Sequence, residues 1–543
     1  MHEKSRFFET SSWLISLLLV FPILAIFYTA MGGDNEIFGH LMATVMGTYT
    51  YNTAVIVLGT VILSILMGIP TAWIMANCDI PGGRWLQWAL VLPAAMPGYI
   101  VGYIYTDWFD YAGPIQILLR DIMGWTSPAH YWFPDLRTLP GACFVLSLVL
   151  YPYIYLLARA SFMEQSVTLS QSARLLGCSP LQAFWRVSLP LARPAIAVGA
   201  SLVAMEALGD FGTVSYFAVN TLTTAVYDTW LGYSNLNAAA KISAIMLVVI
   251  FILISSERYS RRKQQLFSQT VSADKIEKVK LRGKFKIAAT VFCWGLFAAA
   301  FAAPLVQLII FALGYLSSSS VIDFVQYSLN SLYVSGIAAV AALGVALLVN
   351  FYRRLSGKSV SAAPSRIASL GYAVPGTILA IGVLIFLTRG DHLINDVAKY
   401  FDLGRPGLVL SGTMFAMITA FVVRFSGVAI GSVESSLQKV APSLDMAART
   451  LGCSAKSMIK RVQLPLIRRG CLIAMLLVFI ESMKELNAAI LLRPFNFETL
   501  ATYVFNYASD EQLELAAMPA VLLVFVGLIP LILINRSLER GHA

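Results

Sequence analysis

The sequence predicts an all-α polytopic membrane protein of about twelve transmembrane helices, laid out as two tandem, parallel six-helix repeats. Three observations predict it. Of 543 residues, 58% are hydrophobic and 13% charged, too little polar material to coat a soluble globule of this size. Apolar runs of about 20 residues recur along the chain, the length a helix needs to cross a ~30 Å hydrocarbon core. A polar, basic cassette also occurs twice: "SARLLGCSPLQAFWRVSLPLARPAI" from Ser172 and "AARTLGCSAKSMIKRVQLPLIRRGC" from Ala447, with Ala173 and Ala448 275 positions apart.

The apolar runs place twelve spans: 12–31, 52–76, 85–108, 139–158, 195–219, 239–255, 286–313, 329–352, 367–388, 408–430, 470–492 and 515–534. The first is read as a span because its apolar stretch is long for a signal peptide and no small-residue cleavage site follows it. Asn52 opens span two and Asn330 opens span eight, 278 positions on. Spans three and nine carry "MPGYIVG" at 96–102 and "VPGTILA" at 374–380, which pair Pro97 with Pro375 and Gly98 with Gly376. These Pro-Gly steps read equally as hinges or as static kinks. Six spans precede a basic stretch and six follow it in the same order. The organisation is a first membrane half, 1–255, a basic linker, 256–285, and a second membrane half, 286–543. Starting on the same side, the halves relate as parallel repeats about an axis along the membrane normal.

The net charge of +10 is no nucleic-acid signature, because of where it lies. Lys and Arg crowd 159–194, 353–366, 431–469 and the linker, whereas loops 32–51, 220–238, 314–328 and 494–514 contain neither. That alternation places the basic side in the cytoplasm, with both termini inside. Six cysteines stand singly, at 78, 143, 178, 293, 453 and 471. They read as small apolar residues rather than disulfides or metal ligands, and no permanent metal site or cofactor site is expected. "SGKS" at 356–359 is not a phosphate loop, since Tyr352 stands where the first glycine belongs.

Each cassette falls in a loop on the basic side, between spans four and five or ten and eleven. "VTLSQSARLLG" and "PSLDMAARTLG" space small and apolar residues as a helix does and end on a glycine suited to a helix C-terminus. A short amphipathic stretch follows, then Leu189-Pro190 or Leu464-Pro465, expected to break the chain before the next span. A basic amphipathic helix can also simply lie on lipid headgroups. A duplicated loop with Gly and Pro in register points instead to a shaped surface that docks twice.

From Gly177 and from Gly452, nine residues lead to Val-x-Leu-Pro. This pattern resembles the "EAA" loop of binding-protein-dependent ABC importer permeases, where the loop forms a coupling helix seated on a cytoplasmic ATPase. The resemblance implies coupling roles for Ala173, Gly177, Leu189, Pro190, Ala448, Gly452, Leu464 and Pro465. The family's Glu is replaced by Gln171 and Met446, with Asp445 one residue earlier. "LGDFGTVSYFAVNTLTTAVYDTW" at 208–230, "KELNAAILLRPFNFETLATYVF" at 484–505 and "ASDEQLELAAMPA" at 508–520 are similar to the fused ferric-iron permeases. One departure is Asn487, where that subgroup commonly carries Pro, the residue that would break the helix there.

Ionisable residues within a span cost about 2.5–3.5 kcal/mol or more on insertion scales and mark a pathway or a pair. Span five carries Glu206 and Asp210, and span eleven carries Glu481 and Glu485. The i, i+4 spacing predicts that each pair shares one helix face. Two readings stay open. The four acids line a cation passage, or they are structural, with Lys484 beside Glu481 and Glu485 and Arg424 a further partner. In span five Gly209 stands where span eleven has Lys484.

The resemblance implies a non-enzymatic subunit of an ATP-driven importer of the bacterial inner membrane. Its partners would be two ATPase subunits, a solute-binding protein on the outer face and the lipid bilayer, its substrate ferric iron. A polyamine, thiamine or a phosphonate is the alternative cargo, and a twelve-span secondary transporter the alternative class.

Overall fold

A helix closes its own backbone hydrogen bonds, so it is the structure that an apolar stretch adopts where no water can do so. In the computed structural model, which describes residues 2–33, 36–165, 177, 179–262, 279–281, 283–315, 321–356 and 359–540, the twelve apolar segments are helical over most of their length. The main helices are α1 (His2–Ala30), α2 (Met46–Asn77), α3 (Gly98–Phe109), α4 (Leu139–Glu164), α5 (Leu189–Gly209) and α6 (Leu236–Arg262). The second set is α7 (Gly283–Gly314), α8 (Val321–Ser356), α9 (Gly376–Tyr400), α10 (Met414–Gln438), α11 (Leu464–Lys484) and α12 (Ala517–Arg540). Among the described residues ten helices are long and apolar enough to cross a membrane, and a bent pair in the third segment makes up to eleven. The segment of α12 is apolar over Leu513–Ile529.

Three departures from the sequence reading have physical causes. Spans three and nine start late, at the Pro-Gly steps. A residue before proline is pushed out of the helical region, and Met96 (φ −95°, ψ 126°) and Val374 (φ −91°, ψ 127°) are both extended. In the third segment Gly83–Ala95 and Gly98–Met123 meet at 95°. Second, the Leu-Pro steps do not break the chain. Pro190 and Pro465 lie inside unbroken helices, Phe184–Gly209 and Ala455–Lys484, in which a local π adjustment accommodates a proline. Each follows a π-helical turn, Phe184–Ser188 and Ile459–Gln463, so the helix runs on into the span. Third, α5 stops at Gly209 and α11 at Lys484, well short of 219 and 492. Short helices Gly212–Tyr216 and Ala489–Leu492 follow.

The chain divides into two compact units that do not follow its linear halves. One comprises Met1–Val45, Thr223–Leu247 and Ser319–Asn506. Within it α8, α10 and α11 pack on one another, and α1 packs along α8 and α9. The Ser16 hydroxyl donates to the Pro364 carbonyl at 2.9 Å. The other unit comprises Met46–Leu222, Val248–Ser318 and Tyr507–Ala543. There α2, α4 and α5 form the bundle and α7 packs on α12. The buried face of α2, with Thr53, Thr60, Ser64, Gly68 and Ala72, is of the small kind that lets membrane helices approach closely. Each unit thus receives the first span of the opposite sequence half. The linker's first residues continue α6 to Arg262, and Val279–Lys280 pair with Cys78–Asp79 as a two-residue parallel ladder. Residues 263–278 and 282 of the linker lie outside the described residues.

The matched Asn52 and Asn330 do the same task in both units. Asn52 Nδ2 donates to the Asn220 carbonyl at 2.8 Å, and Asn330 Nδ2 to the Glu498 carbonyl at 2.9 Å, each 168 positions away. The neighbouring hydroxyls, Thr53 and Ser331, accept from the amides of Leu222 and Leu500 at 2.9 and 2.7 Å. Each pin ties the start of α2 or α8 to the chain that follows a broken span.

Candidate functional site

Two kinds of site emerge, one on the basic-loop side and one at the broken spans. In the second cassette the loop helix is Pro442–Thr450, with proline in its first turn. Gly452 follows at φ +78°. Its amide bonds to the Arg449 carbonyl and the Cys453 amide to the Ala448 carbonyl, both at 3.0 Å. This is the reciprocal C-terminal lock that needs a left-handed residue, for which glycine carries no steric cost. Ala448 is buried, while Leu444, Met446 and Leu451 are exposed, Leu451 at 83%. The glycine therefore ends the helix so that an apolar rim faces outward. Ser454 caps the next turn by accepting from the Ser457 amide at 3.3 Å. That turn leads through the π-helical segment into Leu464-Pro465.

In the first cassette Gly177 has φ +83°. Ser179 and Gln182 cap the following helix reciprocally, at 3.0 and 3.3 Å. Leu189 and Pro190 open α5. Ala173 lies outside the described residues, as do most of "VTLSQSARLLG" and Gln171.

Asp445, noted in the sequence only as standing beside the missing Glu, is the centre of a buried network. Its Oδ2 accepts from Arg354 Nε at 2.6 Å and its Oδ1 from Gln463 Nε2 at 3.0 Å. Arg354 Nη2 donates to the Val440 carbonyl at 2.8 Å. Sequence reading missed Arg354 and Gln463, because the partners are 91 and 18 positions from Asp445.

The acids at the broken spans do not lie as predicted. Asp210 (φ −67°, ψ 127°) and Glu485 (φ −68°, ψ 109°) are extended residues just past their helices, so neither shares a helix face with Glu206 or Glu481. The reason is local. The Asp210 carboxylate accepts from the amides of Thr213 and Val214 at 2.9 and 3.1 Å and from the Thr213 hydroxyl at 3.1 Å. A side chain that caps the next helix competes with continuing its own. Glu485 Oε1 accepts from the Ala488 amide at 3.1 Å and from Arg424 Nη1 at 3.1 Å. The break therefore forms with Asn487 in place of proline. Glu481 pairs with Lys484 at 3.4 Å, its side chain 42% exposed. Glu206 is half-buried on α5.

The Pro-Gly steps abut these breaks. A Cβ on Gly376 would lie 2.4 Å from both Arg424 Nη1 and Glu485 Oε1, and one on Gly98 would lie 2.5 Å from the Thr213 hydroxyl. Each site thus combines a helix N-terminus, a carboxylate-capped break and no room for a side chain between them. The second contains a buried ion pair. In the first, Val149 stands at the position equivalent to Arg424. Among the described residues no group of three or more His, Cys, Asp or Glu converges as a metal site would require.

Comparison with known proteins adds to this geometry. A family described as the binding-protein-dependent transport system inner membrane component matches residues 59–264 and again 336–541. The Fe(3+)-transport system permease protein FbpB 2 of Haemophilus influenzae is 25% identical over 528 residues, 96% of each chain. The molybdenum transport system permease protein ModB of Escherichia coli is 31% identical over 213 residues, 37% of this chain and 90% of its own. The sulfate transport system permease protein CysW of Synechocystis is 27% identical over 255 residues, 44% of this chain and 86% of its own.

Proposed function

Because the chain belongs to the binding-protein-dependent transport system inner membrane component family, and carries that family twice, we propose that one chain supplies both halves of the pore of a ferric-iron importer. The ABC permease function rests on the family. The iron reading is supported by the end-to-end similarity to an Fe(3+)-transport permease, which spans the duplication rather than one half of it. The partners are an ATPase pair on the basic side, taken as cytoplasmic with both termini, and a solute-binding protein on the other side. The observation that carries the docking role is the glycine-locked helix with its outward apolar rim at Leu444, Met446 and Leu451. Gly177, at the matching position of the first cassette, has the same positive φ. ATP is hydrolysed on the partner. Closure of the ATPase pair draws on both cassettes and changes which side of the pore is open.

Glu206 and Glu481 are the acids that this reading places along the cation's route, since carboxylate oxygens suit a hard cation. Asp210 and Glu485 shape the breaks beside them. Reconstitution into liposomes with the ATPase and binding protein tests the reading. Radiolabelled ferric iron is expected to accumulate only with ATP on the ATPase side, undiminished by excess molybdate or sulfate. Accumulation of either oxyanion in place of iron would overturn the substrate assignment, and accumulation driven by an ion gradient without ATP would overturn the class.

A further inference from the structure

Both cassettes carry a glycine at positive φ and a Leu-Pro step, but the groups that fasten the second to the membrane helices have no counterparts at the equivalent positions of the first. In the second cassette Asp445 is 8% exposed and Gln463 fully buried. Arg354, at the basic end of α8, reaches across to them. Its Nε meets Asp445 Oδ2 at 2.6 Å, its Nη2 the Val440 carbonyl at 2.8 Å and its Nη1 the Leu437 carbonyl at 3.3 Å. One planar guanidinium therefore holds the loop helix, the turn before it and the end of α10 at once, while Gln463 Nε2 ties the π-helical turn to Asp445 at 3.0 Å. A guanidinium presents its donors in a rigid fork, which fixes geometry as a lysine cannot. Beside it, Arg353 pairs with Glu434 of α10.

The first cassette has none of these groups. At the positions equivalent to Arg354, Asp445 and Gln463 stand Ala76, Ser170 and Ser188. Glu434 is replaced by Arg159, which donates instead to Gln87 Oε1 at 2.7 Å. Among the described residues, Gln165 Nε2 donates to the Ser188 carbonyl at 2.8 Å.

We propose that Arg354 is a positioning residue that keys the second docking loop rigidly to α8, so that the two loops transmit the ATPase stroke unequally. The second loop moves with α8 and α10 as one body through a buried, charge-assisted clamp. The first has Ala76, Ser170 and Ser188 where the groups of that clamp would stand. This inference rests on the ABC permease reading for its functional half, while the clamp itself stands on the geometry of this chain.

Two measurements on the full chain separate these halves. In lipid nanodiscs without partners, hydrogen exchange of the Thr450–Cys453 amides is expected to speed up about tenfold in Arg354→Met and in Asp445→Asn, because local opening loses the bonds that hold the loop helix. Unchanged exchange in both variants overturns the clamp. With ATPase and binding protein in liposomes, solute moved per ATP hydrolysed is expected to fall about fivefold in either variant, within the range by which residues between coupled sites modulate them. Arg354→Lys should give an intermediate ratio, since it keeps the charge but not the fork. Ser170→Ala and Ser188→Ala should leave the ratio as it is. Asp445→Asn keeps side-chain shape and serves if Arg354→Met lowers folded yield. An unchanged ratio alongside faster exchange overturns the transmission role, and an equal fall in the serine variants overturns the inequality. Failure of the wild-type chain to engage any ATPase would count against the ABC reading and leave the exchange result to judge the clamp.

Discussion

Replacing Gly177 and Gly452 together with valine is expected to abolish ATP-driven transport while the chain still inserts and folds. Both glycines hold φ near +80°, a region where a β-branched residue is a steric outlier. The strain is in the backbone alone. A Cβ at either position would meet nothing within 4 Å, so no span is displaced. Forcing an L-residue into the left-handed region costs about 1–2 kcal/mol. That lowers the population of the docking-competent loop about tenfold at each cassette, and about a hundredfold when both must be in place at once. The carbonyls of Ala448 and Arg449 would also lose the amides of Cys453 and Gly452. Asparagine tolerates the left-handed region, so the paired Gly→Asn variant should retain most activity. Co-purification of the ATPase and the transport rate are measured side by side. A valine double variant that keeps both at wild-type level would show that the cassettes are not the docking elements.

Glu485→Leu is expected to lose most of the folded protein, and the cause is Arg424. The two side chains are 7% and 13% exposed and 3.1 Å apart. Removing one partner of a buried pair takes away the charge opposite the other, which costs about 3–5 kcal/mol. That is a large part of the total stability of a typical domain. Removing both charges avoids the uncompensated one, so Arg424→Met combined with Glu485→Gln, whose side-chain oxygen can still accept from the Ala488 amide, should recover the yield. The rescued protein then shows whether Glu485 also serves the cation. Full iron uptake would confine it to a structural role. The pair Glu206→Gln and Asp210→Asn should behave differently, because asparagine still accepts the Thr213 and Val214 amides while the charge is gone. Near-normal yield with slowed uptake is the expected result. Unchanged yield in Glu485→Leu would contradict the account of the ion pair, and unchanged uptake in the Glu206/Asp210 variant would remove Glu206 from the cation's route.

What could be read from the sequence follows from the range of the forces involved. Span positions were legible because hydrocarbon thickness sets a length and the apolar runs match it. Gly452 was legible because a helix ending on a left-handed residue leaves a local signature. The breaks after Gly209 and Lys484 were not. A carboxylate that caps an amide three residues ahead and one that faces an acid four residues behind present the same spacing in sequence. Only the Asp210–Thr213 and Glu485–Ala488 bonds distinguish them. The Leu-Pro steps misled because a π-helical turn before each proline carries the helix through it. Asn52 and Asn330 could be matched, but their acceptors at Asn220 and Glu498 depend on tertiary packing. The same holds for Arg354 and Asp445, and for the exchange of first spans between the two units, which no local pattern encodes.

The central claim is that one chain offers two docking loops to an ATPase pair, and subunit stoichiometry tests it most directly. Native mass spectrometry of the detergent-extracted assembly should find one copy of this 543-residue chain with two ATPase subunits. The assembly should lose the ATPases in the Gly177/Gly452 valine variant. Two copies of the chain for two ATPases would contradict the account, because each chain would then be contributing only one working loop.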